Sequence, residues 1–169
     1  DTDTLFGLGP NLLVRFFEGD RLNKLTLGVG FRLNLAIGSQ FFFKEQGWLI
    51  EPNLRYWRKF SKGSPFSLFA GLSMSYGDKK YNRFFYQVDE EYKTSKRDSY
   101  DAKEGIVDIG TSLAFGYDIN SKASLFFGAF QSNLTTAANK NSPLVEEQIN
   151  TGIVAGFVWL FYESDELVE

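Results

Sequence analysis

Six side chains combine reactive chemistry with suggestive spacing: Arg15, Arg32, Glu51, Asn53, Arg55 and Asp108. Glu51, Asn53 and Arg55 stand two residues apart, so an extended strand aims all three from one face. Arg15 and Asp108 take the same face of their own segments, Arg32 falls near a predicted turn, and the strand directions expected below bring Arg15, Glu51 and Asp108 together in one half. Charges gathered in a narrow interior must be paired or hydrated. The first expectation is therefore a structural salt-bridge plug, the second a gated ion path or small-ligand pocket through the same groups. Catalysis with Glu51 and Asp108 as acid and base ranks last.

Composition removes most other chemistry. The chain has no Cys, which excludes disulfides, thiolate metal sites and cysteine nucleophiles. It has no His, which excludes Ser-His-Asp catalysis, most zinc sites and the commonest base near neutral pH. With 18 Lys plus Arg against 21 Asp plus Glu, the net charge of -3 offers no basic field for nucleic acid. Neither a glycine-rich phosphate loop nor a metal-ligand cluster is present, and the sequon Asn133-Leu-Thr135 is too common by chance to carry weight. The expectation is a non-enzymatic protein with no cofactor, no metal and no nucleic-acid partner.

A second candidate is the long polar link from Asp78 to Glu104, where Tyr81, Arg83, Phe84, Phe85, Tyr86, Tyr92 and Tyr100 are interleaved with lysines and acids. Aromatic and Arg side chains are those that protein interfaces favour. The run Phe84-Phe-Tyr-Gln-Val88 reads as a hairpin extension offering an edge strand to a partner; the plainer reading is a solvated, mobile loop.

The elements that must position these residues follow from alternation with period two. Phe6, Leu8, Pro10, Leu12, Val14 and Phe16 oppose Gly7, Gly9, Asn11, Leu13 and Arg15. The same contrast recurs at 25–31, 35–43, 48–57, 66–76, 107–117 and toward the end in Ile149, Ile153, Ala155, Phe157, Trp159 and Phe161. Segment 123–133 is a strand of ambiguous facing, since Phe126, Phe127 and Phe130 occupy both parities. A three-residue turn at Arg32, Leu33 and Asn34 separates 25–31 from 35–43, because Asn suits a left-handed turn position. Pro10 and Pro52 each call for a bulge or a strand end.

Eight strands of about 9 to 12 residues result, close to the roughly 9 to 11 that cross a tilted bilayer, while no apolar run reaches the roughly 18 to 20 of a membrane helix. Links near 32–34, 61–65 and 118–122 are short, and those near 78–105 and 134–148 are long and polar, with both termini expected on the short-turn side. The 17% aromatic content falls near strand ends. Phe16, Phe17, Phe43, Trp48 and Tyr76 are expected at the loop end, and Phe31, Tyr56, Phe60, Phe66, Tyr117, Trp159 and Phe161 at the turn end, as two membrane girdles. Glycines on the opposite face thin a crowded interior. The fold expected is an all-β, closed, antiparallel up-and-down transmembrane barrel, with short periplasmic turns and long external loops. A soluble lipocalin-like barrel with its greasy face inward is the alternative. Asp1 to Thr4 lack the basic and apolar regions of a secretory signal, as in a processed chain.

Over about residues 5–162 this pattern resembles the small eight-stranded bacterial outer-membrane barrels of the OmpA and OmpX kind. The segment Gly156-Phe-Val-Trp-Leu-Phe161 resembles their C-terminal strand signal, although Tyr162 and an acidic tail, 163–169, follow it. The resemblance implies a single domain, 1–169, in the outer membrane of Gram-negative bacteria. Its implied partners are outer-membrane lipid, lipopolysaccharide and other outer-membrane proteins. It implies a structural or interaction role through the external loops, as a subunit of a larger complex or alone, with a narrow porin-like conduit as the alternative. Lipid-modifying barrel enzymes are disfavoured, since that resemblance normally brings a catalytic His.

Overall fold

The computed structural model describes residues 4–17, 22–37 and 43–161; the predictions touching Ser39, Phe41, Tyr162 and the acidic tail lie outside the described residues. Eight strands form one antiparallel sheet curled into a half-barrel: β1 (Thr4–Leu8), β2 (Asn11–Phe16), β3 (Asn23–Ile37), β4 (Phe43–Lys59), β5 (Phe66–Gly77), β6 (Gly105–Asn120), β7 (Ala123–Asn133) and β8 (Ile149–Trp159). The order is β1-β3-β4-β5-β6-β7-β8, with β2 also paired to β3.

β1 and β2 lie end to end along β3 in one continuous register, Leu8 opposite Leu33 and Asn11 opposite Gly30. Pro10 interrupts them because it has no amide to donate, yet its carbonyl still accepts from Phe31 N at 3.0 Å. The interruption expected at Pro10 is therefore found. At Pro52 neither a bulge nor a strand end occurs: β4 runs through it opposite Val29. The loss is confined to the β5 side, where pairing lapses between Ile50↔Tyr76 and Asn53↔Ser73 without a change of register.

The predicted turn at Arg32–Asn34 is absent. β3 continues through it, and Asn34, read as a turn residue, is buried with Nδ2 donating to Gly47 O and Arg32 O at 3.4 Å each. Leu33, Leu35 and Ile37 keep the apolar parity of Leu25 to Phe31, so the two predicted strands are one. The irregularity sits across the ladder instead, where Leu33 faces Trp48 but Leu35 faces Glu45. That extra β4 residue forms a bulge at Gly47, whose φ of 85° favours glycine.

This correction propagates. Since β1 and β2 share one rank, the eight strands fill seven ranks, and the edges β1/β2 and β8 both run from the loop end toward the turn end. Thr4 lies at the loop end and Trp159 at the turn end, so the strands do not begin and finish on one side as predicted. β2, β4 and β6 end, and β3, β5 and β7 begin, at the turn end; β3, β5 and β7 end, and β4, β6 and β8 begin, at the other, where links 78–104 and 134–148 lie. β3, β4 and β6 have 15, 17 and 16 residues, longer than predicted, and extend beyond the length a bilayer needs.

The convex face carries the apolar parity and the concave face the small and polar one. Phe115, Phe127 and Phe157 are 54%, 57% and 58% exposed on the outside of successive strands. β7 resolves its ambiguity: a Cβ on Gly156 would meet the ring of Phe126, and one on Gly152 the ring of Phe130, so both rings turn inward. Phe31, Trp48 and Tyr76 stack on the convex face with centroids 6.2 Å apart. Phe31 therefore belongs to the loop half, not the turn end predicted for it, because β3 continues past it. Phe16, predicted at the loop end, closes β2 at the turn end, opposite Leu25, and Phe17 follows it there. Phe43 opens β4 at the loop end; Tyr56, whose hydroxyl donates to Asn23 Oδ1 at 2.7 Å, Phe66, Tyr117 and Trp159 lie toward the turn end, and Phe161 follows β8 there, 84% exposed.

Candidate functional site: a layered trough beneath a folded cap

Cross-strand register sorts the concave face into layers. Nearest the loop end, Glu51 stands opposite Gly30 on β3, and Asp108 opposite Ser75 on β5. The two carboxylates share a level on strands two spacings apart, about 10 Å. Arg32 joins this layer, its Nε 3.6 Å from Glu51 Oε2. Its Nη1 also donates to the carbonyls of Pro10 at 3.2 Å, Gly9 at 3.4 Å and Phe31 at 3.0 Å, covering the interruption between β1 and β2. Arg32 thus holds the loop half, not a turn. Asp108 Oδ2 accepts from Ser132 Oγ at 2.7 Å.

Below comes an amide and hydroxyl layer. Asn53 donates Nδ2 to Glu51 O at 3.2 Å, while its Oδ1 is buried without a hydrogen-bond partner. One layer further, Arg15 pairs with Thr26, Thr26 with Arg55, Arg55 with Gly71 and Gly71 with Ser112. Arg15 is therefore not beside Glu51 and Asp108 as predicted; it shares Arg55's layer, four residues nearer the turn end, because β2 runs downward. Leu13, next to Gly28 through its Cδ2, fixes the odd residues of β2 on the concave side. Neither Arg15 nor Arg55 makes a hydrogen bond or ion pair to any described residue. The trough encloses about 760 Å³ and is lined by Asn11, Thr26, Arg32, Glu51, Asn53, Arg55 and Ser112 among others.

A folded cap stands at the loop end. The stretch read as a hairpin extension or mobile loop forms the helix α1 (Lys79–Tyr86) and one 3-10 turn (Glu90–Tyr92). Asp78 caps α1, its Oδ1 accepting from Tyr81 N at 2.9 Å and from Trp48 N at 3.1 Å, which pins the helix to the β4 bulge. Lys80 pairs with Glu45 on the same strand. Asn82, 0% exposed, donates Nδ2 to Gly77 O at 2.9 Å and Asp78 O at 3.0 Å, and accepts from Asn139 Nδ2 at 2.9 Å. Asn139, 1% exposed, also exchanges two hydrogen bonds of 2.8 Å with the backbone of Lys103. Ser142 Oγ donates to Tyr86 O at 2.8 Å. The two long links thereby become one unit.

Of the loop residues singled out, Tyr81 and Tyr86 face the trough. Burial, reinforced by Tyr86, Glu51 and Asp108, pushes the Tyr81 hydroxyl up to about 12; burial and then Asp108 raise Tyr86. Phe84 and Phe85 pack edge to face at 5.0 Å. Tyr100 bridges Val88 and reaches Asn139 Oδ1 at 3.4 Å. Arg83, Phe85 and Tyr92 are exposed on the cap. Sequence reasoning missed Asp78, Asn82 and Asn139. The available signal was Asp78, a capping residue before an eight-residue stretch.

The family model described as MltA-interacting protein MipA matches residues 1–161. The chain belongs to the MipA family. No curated protein and no solved structure matches it. This MipA chain is all-β, antiparallel and curled, and its family is named for an interaction, which directs attention to the exposed side chains of the cap as well as to the trough.

Proposed function

We propose that this MipA-family chain is a non-enzymatic outer-membrane β-barrel that binds an MltA-type partner through its cap, with lipid and lipopolysaccharide as its surroundings. The observation that carries the membrane reading is the convex wall of exposed Phe, Leu, Ile and Val over a concave face of Gly, Ser and charged residues. A lipocalin-like barrel has the reverse polarity. Among the described residues no helix is long and apolar enough to cross a membrane, so the crossing falls to strands.

Closure is part of this reading, since lipid tolerates no unpaired edge. Both edges of the half-barrel run the same way, so an antiparallel seam needs an odd number of interposed strands running against them. A second copy in the same orientation presents the same direction and does not supply it.

The non-enzymatic reading rests on the carboxylates: Glu51 is held by Arg32 and Asp108 by Ser132. The partner reading rests on the family description together with a cap that is ordered by internal amides yet exposes Phe85, Tyr92 and Leu144. Purified protein with Phe85→Ser and Tyr92→Ser should lose co-purification with MltA by about tenfold, as central aromatics do at interfaces. Phe60→Ser with Phe66→Ser at the turn end should not. Full retention by the cap variant, or loss only in the turn-end variant, overturns the assignment to the cap. The polar trough favours a narrow conduit as the second reading, which steady conductance in planar bilayers would support.

A further inference from the structure

We propose that the turn-side half of the trough is a binding site for a small oxyanion, with Arg15 and Arg55 as its walls. Register places Arg15, Thr26 and Arg55 side by side on three adjacent ranks, the two guanidinium groups flanking a hydroxyl. Neither guanidinium has a partner among the described residues; Arg55 lines the trough, and Arg15 shares the concave parity of Leu13 at its rim. One layer nearer the turn end Lys24 adds a third cation, standing 4.8 Å over the ring of Trp57.

Among the described residues no carboxylate on the concave face is left to neutralise this layer. Glu51 lies four residues up β4 from Arg55, about 13 Å away, and is engaged by Arg32. Asp108 shares Glu51's level and holds Ser132. Asp118, toward the turn end, is taken by Lys59 at 2.9 Å and Ser124 at 2.8 Å. Both side chains are open to solvent on the concave face, where an incoming anion can reach them, and paired guanidinium forks match the geometry of phosphate and carboxylate. Gly71, beside Arg55, has no side chain of its own, and the Ser112 hydroxyl lies over it. This layer therefore presents two forks, two hydroxyls and a flanking ammonium, open toward the neutral layer above.

Phosphate chemistry reaches such a site either as a free ion or as a lipid headgroup, so the test has two arms. The folded protein in neutral detergent is titrated with inorganic phosphate and, separately, with short-chain phosphatidic acid, followed by phosphorus NMR or calorimetry. Saturable binding in either arm is expected, weakened about tenfold by Arg15→Gln or Arg55→Gln, the loss of a charge-assisted contact. Arg55→Lys should recover part of it, which separates a lost contact from lost folding, and Lys62→Gln in the turn should leave it unchanged. Binding in the lipid arm alone, sensitive to the same two arginines, assigns a headgroup as the source. Absence of binding in both arms, or binding indifferent to both glutamine variants in protein that retains its strand signal, overturns the proposal.

Discussion

From β5 to β8 most residues follow one alternation, apolar outward and small or polar inward, with Phe126 and Phe130 as inward exceptions over glycines, whereas the cap above is held by a few amides that follow no repeat. The sheet spreads its stability over many similar pairs, so single losses are diluted. The cap concentrates its stability in Asp78, Asn82 and Asn139, so a single loss there is not. A repeat tolerates error and can be read from its period; a clamp is specific and becomes visible only when distant segments meet.

Three experiments probe that contrast. The largest effect is expected for Asn139→Ala, which leaves Asn82 Oδ1 and both backbone groups of Lys103 without their partner. Orphaned buried groups cost about 1–3 kcal/mol each, so the cap should open and exchange its amides while the strands stay protected, as hydrogen exchange would register. Uniform loss of protection across sheet and cap would mean that the two unfold as one unit. Next comes Gly156→Val, whose Cβ falls about where the Phe126 ring lies. Overpacking of this kind costs about 1–3 kcal/mol, and the expected signature is a lower unfolding midpoint with cap exchange unaltered.

The smallest effect concerns the contact between the two regions. Tyr81, pushed up to about 12 chiefly by burial, stays protonated in the folded cap after an unfolded tyrosine near 10.0 has lost its proton. Its contribution is therefore fully present below the unfolded value and is lost as pH rises through the folded one. Ultraviolet titration should show Tyr81 in the late-titrating fraction, and Glu51→Gln with Asp108→Asn should move that fraction earlier, because both carboxylates raise Tyr81. An unmoved titration would mean that cap and trough are electrostatically separate.

The all-β class, the facing of most segments and the interruption at Pro10 were legible because alternation reports burial directly. One misplaced turn did most of the damage. Asn34 has the residue type of a turn and the parity of an interior position, and only its contact with Gly47, thirteen residues away, decides between them. Because neighbouring strands alternate in direction, that extra turn reversed β1 and β2 and carried Arg15 from the turn half to the loop half. Parity put the inner charges on one face, while their order along the axis, and Lys24 and Asp118 beside them, came only from the register. The helix α1 was hidden by Phe84-Phe-Tyr86, three residues with strand preference, overridden by the Asp78 cap and by tertiary amides that the local sequence does not contain.

The rings of Phe126 and Phe130 over Gly156 and Gly152 have a consequence for assembly. A hairpin that slips by two residues keeps its facing, so hydrophobic pattern alone does not forbid the error. In β7 and β8, a slip in one direction sets Phe126 against Val154 and Gly128 against Gly152; the opposite slip sets Phe126 against Val158 and Gly128 against Gly156. Either error drives a ring into a branched side chain and opens a void beside it. Ring over glycine thus works as a key that only one alignment turns, and the hairpin carries its own proofreading before any other strand joins it.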